Sequence, residues 1–382
     1  MSTNPSGPSD RTQAWATTMS GHPGDRGVIE AHAAPGAQLE PRPRAGREER
    51  EQAERQWLRH GATLAAGAGD RGRPEPPDPD RTCFERDRDR ILHSAAFRRL
   101  AGKTQVFVFP ADHQRTRLTH ALEVAQVATS IARDCGLNVS LTEAIALGHD
   151  CGHGPGGHAS EEAFDEFLPA GYDHAVWGAD VVLVPLNLCS PTLDGIRNHS
   201  WARPTPATPE GEVVSWADRI AYCAHDFEDA VQAGVVELAD LPHDVAQLCG
   251  RTRREQLGTF ISAVSTVLNE AGVVGMAPEP AAALAGLRRF NYERIYSRPE
   301  SVAQSKAVVG VLRALVEHFV SRPSSLPAEH QATSDAPDPI RAAVAYVAGM
   351  TDRFAFATAE RELGWPASRL PRGIDVPTGP NR

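Results

Sequence analysis

The chain has 382 residues and a formal net charge of −10 at pH 7, and 41% of its residues are hydrophobic. This length allows one large domain or two medium-sized ones, and the acidic balance disfavours a general nucleic-acid coat protein. No run of about 18 apolar residues is present, and the polar segment from Met1 to Asp25 lacks the apolar stretch of a signal peptide. The cysteines lack CxxC spacing, which is typical of reduced thiols in the cytosol. We therefore expect a cytoplasmic protein without a membrane partner.

The beginning of the chain has the composition of an extension to a folded region. Residues 1–47 are rich in Pro, Gly, Ser, Arg and Ala, which is typical of disorder. Arg47 to Ala66 could form a helix, whereas Gly67 to Asp80 contains four prolines and is typical of a linker. We predict three regions: a disordered or partly helical extension over 1–75, a folded region over 76–370 and a flexible tail over 371–382.

Beyond residue 80 the apolar residues recur with the period of an α-helix. In the helix predicted from Leu118 to Arg133, His120 shares one face with apolar residues at i+4, i+7 and i+11. The next helix is predicted to begin with a capping box from Ser140 to Glu143. Apolar residues four and eight positions before His149 turn that imidazole inward, and glycines then end the helical pattern.

A third helix is predicted from Val213 to Ala233, where Asp218, Tyr222 and Asp226 lie on one face. Alternation typical of a strand is scarce, and Thr104 to Phe109 is the best candidate. The sequence therefore predicts an all-α fold.

His120, His149, Asp150 and Asp218 place two imidazoles and two carboxylates on three separate predicted helices. Such a set suits one hard or borderline divalent cation with positions left open for water and substrate. Inward-facing polar groups are costly to bury without a shared partner, and a metal ion supplies one. The alternative for a single histidine is a hydrogen-bonded place in the core. We predict one divalent ion per site: Mn²⁺, Mg²⁺, Fe²⁺, Co²⁺ or Zn²⁺.

More histidines follow the His-Asp pair than a structural role requires. His153 and His158 lie in the glycine-rich loop, and one helical turn would bring Glu161 to His158. A carboxylate fixes the tautomer of a histidine and raises its basicity, as a general acid or base requires. His174 is a further candidate, and the alternative for these histidines is a position on the surface.

Cationic side chains lie close to the same residues in the sequence. Arg117 precedes His120 by three residues, and two arginines and a lysine precede Gln105. A polyphosphate bound to a metal requires cations around its non-bridging oxygens. The alternation of Arg and Asp over 86–90 is instead typical of a salt-bridged helix surface.

With these segments in this order, the sequence resembles the HD-domain deoxynucleoside triphosphate triphosphohydrolases from Arg81 to Gly364. The segments that carry the resemblance are RDRDRILHSAAFRRL (86–100), GKTQV (102–106), RLTHALEV (117–124), the loop 149–158, WADRIAY (216–222) and AGMTDR (348–353). The resemblance implies an HD-domain helical fold with a C-terminal helical subregion and a disordered N-terminal extension.

The resemblance also implies a role for each matching residue. It assigns the metal to His120, His149, Asp150 and Asp218. It places His153, His158 and His174 along the triphosphate and the scissile bond, with His158 and Glu161 as the pair that transfers a proton. It implies phosphate contacts for Arg117 and Arg219. It implies deoxyribose contacts for Gln105, Tyr222, Asp226 and Tyr296, with Asp226 binding the 3′-hydroxyl and Tyr296 excluding a 2′-hydroxyl.

The implied reaction is hydrolysis of dGTP or a broader set of dNTPs to a deoxynucleoside and tripolyphosphate. A homo-oligomer and a nucleotide effector are further expectations from the resemblance. Three alternatives stay open: a phosphohydrolase of nucleoside monophosphates or cyclic nucleotides, a catalytically silent nucleotide sensor, and a nucleic-acid-binding protein, which the acidic balance disfavours. Where the family has a bulky aromatic residue after the loop proline, this chain has Gly156. We expect a more mobile loop and a changed base selectivity from this difference.

Overall fold

The computed structural model describes residues 9–24, 27–34, 36, 39–108, 114–331, 338–371 and 373. Most of these residues are helical, which confirms the predicted all-α fold. The chain divides into two compact units, Met1–Ala45 and Gly46–Arg382. None of the helices in the described ranges is long and apolar enough to span a membrane.

In its described residues, the first unit contains one helix and one pair of short strands. The helix is α1 (Asp10–Thr17), and the antiparallel strands are β1 (His22–Pro23) and β2 (Ile29–Glu30). His22 pairs with Glu30, and Pro23 pairs with Ile29. The strand pair was not predicted from the sequence.

The second unit carries every predicted site residue and is built from helices. Its helices are α2 (Arg47–Trp57), α3 (Cys83–Leu92), α4 (Ala95–Arg99), α5 (Arg117–Cys135), α6 (Val139–Gly148), α7 (His158–Asp165), α8 (His174–Trp177), α9 (Ser190–Asn198), α10 (Pro209–Gln232), α11 (His243–Cys249), α12 (Arg253–Ala271), α13 (Pro278–Asn291), α14 (Pro299–Ser321), α15 (Pro339–Ala348) and α16 (Asp352–Leu363). Two π-helical turns, Gly178–Val182 and Tyr292–Tyr296, follow α8 and α13.

Two hydrophobic clusters stabilise this unit. In the larger cluster the long helix α5 packs against α6, α10 and α12, and apolar side chains from both ends of α5 are fully buried. In the smaller cluster α14 packs against α7, α15 and α16. Full burial of one large aliphatic side chain stabilises a fold by about 1.5–3 kcal/mol, so the two clusters hold α5, α6, α7 and α10 in fixed positions. These four helices carry most of the predicted site residues.

The start of α6 differs from the prediction. The helix begins at Val139, and the side chain of Asn138 accepts a hydrogen bond from the Leu141 N–H at 3.2 Å. The Asn138 amide also donates to Glu54 Oε1 at 3.1 Å and to the Thr63 carbonyl at 2.9 Å. The predicted capping box at Ser140 was wrong because the anchored Asn138 side chain already caps the helix two residues earlier.

Replacing Asn138 by Ala is expected to lower the free energy of unfolding by about 1–2 kcal/mol, because the helix loses its cap and two further hydrogen bonds. Urea denaturation followed by circular dichroism measures this change. Ser140→Ala is the matched control and is expected to change stability by less than about 0.5 kcal/mol. Equal costs for the two variants would contradict the cap assigned to Asn138.

Two segments before α3 also differ from expectation. The helix predicted from Arg47 to Ala66 ends at Trp57, because Leu58 adopts an extended conformation. The proline-rich segment that follows is irregular as predicted, yet it is anchored. The buried Arg71 guanidinium donates to Asp87 Oδ1 at 2.6 Å, and Arg71 forms an isolated bridge with Cys189. The Arg–Asp run in α3 therefore forms salt bridges as predicted, although Asp87 is fully buried and not on the surface.

The strand predicted from Thr104 to Phe109 was wrong for residues 104–108, and Phe109 lies outside the described residues. Thr104 forms only an isolated bridge with Thr116. The Thr104 N–H and hydroxyl both donate to Asp352, at 3.0 and 2.5 Å. Thr104 thus binds a buried carboxylate from the C-terminal helices, and no neighbouring strand is available to it among the described residues.

Candidate active site

A cavity of about 440 Å³ lies where α5, α7, α8 and α10 meet. Its wall contains nearly all of the residues singled out from the sequence: Gln105, Arg117, His120, Asp150, His153, His158, His174, Asp218, Arg219, Tyr222, Asp226 and Tyr296. His149 and Glu161 lie directly behind the wall and contact residues that line it. The structure therefore brings the whole predicted set together.

The four predicted metal ligands converge from α5, from the end of α6 and from α10. His120 Nε2 lies 3.0 Å from Asp218 Oδ1. His149 Nε2 lies 3.4 Å from Asp150 Oδ1 and 3.7 Å from Asp218 Oδ1. The two imidazoles and Asp150 are buried, while the Asp218 side chain retains 22% exposure toward the cavity.

The chemistry of these four residues fits a divalent cation. His149 Nδ1 donates to the Ala146 carbonyl at 2.7 Å, which leaves the lone pair on Nε2. That buried Nε2 atom has no hydrogen-bond partner among the described residues. Burial lowers the pKa of His149, whereas His120 and the other nearby histidines hold the pKa of Asp218 well below its usual value despite burial. Neutral imidazoles facing ionised carboxylates are the donor set that borderline divalent metals prefer.

Arg117 contacts one of these carboxylates directly. Its Nη1 atom donates to Asp150 Oδ2 at 2.8 Å, and its Nε atom donates to the Thr104 carbonyl at 3.0 Å. Burial by itself would raise the pKa of Asp150, but the Arg117 charge holds it well below its usual value. The Nη2 atom is buried and unpaired in the described part of the chain. Arg117 therefore positions Asp150, and only Nη2 is left for the predicted phosphate contact.

Glu161 links two histidines of the cavity. Its Oε2 atom lies 3.0 Å from His158 Nδ1, as the sequence predicted, and its Oε1 atom lies 2.5 Å from His174 Nδ1. Burial opposes ionisation of Glu161, but the hydrogen bonds with both histidines hold its pKa well below its usual value. Burial also opposes the charge of His174, yet Glu161 raises the pKa of His174. The contact with His174 was not predicted.

His153 stacks on the His174 ring, with centroids 3.7 Å apart. Its Nε2 atom lies 3.2 Å from Asp150 Oδ1. Burial, together with the Arg117 charge, holds the pKa of His153 well below its usual value. His153 therefore lies between the Asp150 carboxylate and the stacked His174 ring.

The loop that carries these histidines is tightly packed. The N–H of the buried Gly156 donates to Asp352 Oδ1 at 2.8 Å, and a side chain at this position would overlap Val308 of α14. Gly156 has a φ of +73°, which glycine adopts without strain. The Lys103 ammonium donates to the His153 carbonyl and to the Ala348 carbonyl. We expected a mobile loop from Gly156, whereas the structure shows Val308 filling the space that an aromatic side chain would need.

Aromatic and charged residues also line the cavity. Asp226 accepts hydrogen bonds from Tyr296 at 2.5 Å and from Arg115. The Tyr222 hydroxyl accepts a hydrogen bond from Arg288 at 2.7 Å. Gln105 lines the same cavity. These contacts hold Asp226 and both tyrosines, the residues to which the resemblance assigns the deoxyribose, at the wall of the cavity.

Arg219 stacks on an aromatic ring, a contact that was not predicted from the sequence. Its guanidinium lies 3.4 Å from the centroid of the Trp201 ring, a cation–π contact at the cavity wall. Both residues line the cavity. The stacking fixes the plane of the Arg219 guanidinium. The predicted phosphate contact would therefore have to be made by the guanidinium while it is stacked on Trp201.

Sequence reasoning missed His199, which follows α9. It is buried, its Nδ1 atom donates to the Ile196 carbonyl at 2.8 Å, and its Nε2 atom lies 3.3 Å from His174 Nε2. Like His149, it is anchored by a carbonyl three residues earlier at the end of a helix. The sequence signal, one histidine after a short amphipathic helix, is too weak to identify it. Arg115, Trp201 and Arg288 were also missed.

Comparison with known proteins identifies the family of the chain. The HD domain matches residues 117–223, and the Phosphohydrolase-associated domain matches residues 274–361. The chain is 42% identical to a Deoxyguanosinetriphosphate triphosphohydrolase-like protein of Caldanaerobacter subterraneus subsp. tengcongensis, over 75% of this chain and 86% of the relative. Proteins of the same name are 37% identical in Desulfatibacillum aliphaticivorans and 36% identical in Clostridium perfringens, over 81% of this chain and 95% and 94% of the relatives.

The HD match begins at Arg117 and ends at Cys223, so it contains all four predicted metal ligands together with the histidine loop. The identity extends across most of both chains, and the Phosphohydrolase-associated domain match covers the C-terminal helices that contact this loop. The chain therefore belongs to the metal-dependent HD-domain phosphohydrolases, in the family of the deoxyguanosinetriphosphate triphosphohydrolase-like proteins.

Proposed function

We propose that this protein hydrolyses deoxynucleoside triphosphates, dGTP or a broader set, to a deoxynucleoside and inorganic tripolyphosphate. The observation that supports the proposal best is the set of groups that line one cavity. Cation ligands, histidines, Arg117 and Asp226 with two tyrosines all line it. A metal-bound triphosphate and a deoxyribose would require these kinds of group. The names of the relatives point to the same substrate class.

His120, His149, Asp150 and Asp218 would hold one divalent ion of the set predicted from the sequence. When bound, such an ion supplies a Lewis acid for an α-phosphate oxygen and lowers the pKa of a water molecule. Arg117 keeps Asp150 ionised and oriented through the 2.8 Å hydrogen bond. The buried Nη2 atom of Arg117, which has no hydrogen-bond partner among the described residues, would be the atom that contacts phosphate.

His158 is the residue that we assign to protonation of the departing 5′-oxygen. Its side chain is 69% exposed, so it can exchange protons with solvent, and Glu161 holds its Nδ1 atom. His153 and His174 would contact the phosphates from the buried side. Arg219, held on Trp201, would contact them as well. These cationic and hydrogen-bonding groups would stabilise the charge that develops on the tripolyphosphate as its bond to the 5′-oxygen breaks.

At the sugar end we assign the 3′-hydroxyl to Asp226, whose carboxylate is fixed by Arg115 and Tyr296. Tyr296 would occupy the space of a 2′-hydroxyl, while Gln105 and Tyr222 would complete the deoxyribose contacts. A comparison of kcat/KM for dGTP and GTP tests the role of Tyr296, since Tyr296→Ala should reduce the preference for the deoxynucleotide.

Product analysis tests the proposed reaction. The purified protein is incubated with each dNTP and Mn²⁺ or Mg²⁺, and nucleosides, nucleotides and phosphates are separated. A deoxynucleoside with tripolyphosphate is the expected result. A nucleoside monophosphate with pyrophosphate would contradict the position of the cut. Turnover of only monophosphates or cyclic nucleotides, or no turnover at all, would favour the other phosphohydrolase or the nucleotide sensor.

Glu161→Gln is expected to lower kcat about 10²-fold with little change in KM, because no carboxylate then fixes the histidine that donates the proton. Steady-state kinetics measures the change. Glu162→Gln is the matched control, since the neighbouring Glu162 is exposed to solvent. An unchanged kcat in Glu161→Gln would remove the pair from the mechanism.

The proposal also includes the assembly expected from the resemblance, a homo-oligomer with a nucleotide effector. Light scattering of the purified protein with and without dNTPs tests both points. An unchanged monomer under all conditions would contradict them. Binding of nucleic acid is not favoured by the net charge of −10.

A further inference from the structure

A cluster of one arginine and three carboxylates joins the start of α5 to α10. Arg115 lies two residues before α5, and its side chain is only 9% exposed. Its Nε atom donates to Asp229 Oδ2 at 2.7 Å, and its Nη1 atom donates to Glu123 Oε2 at 2.7 Å. The remaining nitrogen, Nη2, donates to Asp226 Oδ1. Because the guanidinium is planar and each of its nitrogens has a different carboxylate, the direction of each contact is fixed.

Asp226 connects this cluster to the cavity. Of the four residues, all of which the structure describes, Asp226 alone is part of the cavity wall. Its Oδ2 atom accepts a hydrogen bond from the Tyr296 hydroxyl at 2.5 Å, while Arg115 holds Oδ1. A carboxylate has about four acceptor sites, so a hydroxyl group of a ligand can still donate to Asp226. The direction of the remaining sites follows from the orientation of the carboxylate, which Arg115 fixes.

We propose that Arg115 is a positioning residue for recognition of the 3′-hydroxyl, and that it gives the protein a preference for nucleotides that carry this group. The inference rests on the proposed function, in which Asp226 binds the 3′-hydroxyl. Arg115 itself does not touch the substrate and acts through the orientation of Asp226. A site with a fixed, charged acceptor discriminates against an analogue that lacks the hydroxyl, because the acceptor is then left without its partner.

The competing explanation is that Arg115 only stabilises the packing of α5 on α10. Its loss would then lower the turnover of every nucleotide equally. The backbone near Arg115 has an anchor of its own, because the Arg117 N–H donates to the Lys103 carbonyl at 3.2 Å. Arg117 in turn holds Asp150. A change confined to the Arg115 side chain should therefore disturb Asp226 more than it disturbs the contact between Arg117 and Asp150.

The test compares kcat/KM for the dNTP that the wild-type protein hydrolyses fastest with kcat/KM for its 2′,3′-dideoxy analogue. The wild type is expected to prefer the dNTP by at least about 10-fold, as one hydrogen bond to a charged group would give. Arg115→Lys keeps the positive charge but lacks the planar fork that contacts three carboxylates. The preference of this variant for the dNTP should therefore fall by about 10-fold.

Asp229→Asn is the matched control, because it changes the same cluster at the Arg115 nitrogen that does not contact Asp226. This variant should keep the wild-type preference. The Arg115→Lys/Asp226→Asn double variant should have the same preference as Asp226→Asn alone, since Arg115 acts through Asp226. Circular dichroism verifies that each variant is folded. If Arg115→Lys does not fold, Arg115→Gln/Asp229→Asn removes one positive and one negative charge together and is compared with Asp229→Asn.

An equal loss of kcat/KM for both nucleotides in Arg115→Lys, with the preference unchanged, would overturn the inference and leave Arg115 a structural role. A wild type that hydrolyses the dNTP and its dideoxy analogue equally well would also overturn it, while the proposed reaction would stand. A wild type that hydrolyses no dNTP would contradict the proposed function itself, and the inference would fail with it.

Discussion

An Asp218→Asn variant is expected to lose its bound divalent ion and to lower kcat/KM for dNTP hydrolysis by about 10³-fold. This loss corresponds to about 4 kcal/mol of transition-state stabilisation, the size expected when a catalytic metal is removed. Asp218 Oδ1 is 3.0 Å from His120 Nε2 and 3.7 Å from His149 Nε2, so an amide there removes one negative charge from the ligand set.

A substitution at Asp218 tests catalysis with a smaller effect on folding stability than a substitution at Asp150. The Asp218 side chain retains 22% exposure, whereas Asp150 is buried with Arg117. Removing one partner of a buried ion pair costs about 3–5 kcal/mol, so Asp150→Asn would destabilise the fold as well as the site. Asp218→Asn should unfold close to the wild-type temperature.

Metal analysis after dialysis and steady-state kinetics measure the two effects of Asp218→Asn. Glu228→Gln is the control on the same helix, α10. Its carboxylate forms an exposed ion pair with Arg253 at 2.7 Å, and exposed pairs contribute about 0–1 kcal/mol. Retention of both metal and turnover in Asp218→Asn would contradict the assignment of Asp218 as a ligand.

The parts of the site that could be predicted from the sequence are those set by helix periodicity. His120 and Asp218 each lie on a helix face defined by residues within two turns, so local spacing is sufficient to turn them inward. His149, at the end of α6, is turned inward by the same helical spacing. Helix starts and short strands were less predictable: Asn138 caps α6 because Glu54 and Thr63 hold its amide, and both are distant in the sequence.

The contacts that could not be predicted join residues far apart in the chain. Glu161 contacts His174, which lies thirteen residues later in the chain. His199 contacts the same histidine from the end of α9. Arg115 binds Asp226 across more than a hundred residues. Sequence periodicity carries no information about such pairs, because they depend on how the helices pack against each other.

The C-terminal helices belong to the site through buried polar contacts. Asp352, at the start of α16, accepts hydrogen bonds from Thr104 and from the Gly156 N–H. Lys103 bridges the His153 and Ala348 carbonyls. One buried carboxylate and one buried ammonium therefore hold the histidine loop between α5 and α16. This explains why the segments containing Thr104 and Asp352 carry part of the family resemblance without lying among the metal ligands.

Gly152→Ala is expected to destabilise the fold by about 3 kcal/mol and to lower kcat/KM about 10²-fold. A Cβ atom at Gly152 would overlap the His174 carbonyl and approach the Gly178 nitrogen to 2.5 Å. Both neighbours are backbone atoms, so relief requires a shift of the segment that carries His174. The shift would move His174 relative to Glu161, and a misplacement of about 1 Å in a catalytic group costs about 10²-fold in rate.

The control for Gly152→Ala is Gly258→Ala on α12, where a Cβ atom would meet nothing within 4 Å in the described ranges. Alanine stabilises a helix interior by up to about 1 kcal/mol relative to glycine, so this variant should be as stable as the wild type or slightly more stable. Thermal unfolding and steady-state kinetics of both variants measure the difference. The Tyr172 hydroxyl also donates to the Gly152 carbonyl at 2.6 Å, and this hydrogen bond further restrains the loop. A Gly152→Ala protein with wild-type stability and turnover would show that the loop and the His174 segment do not approach this closely.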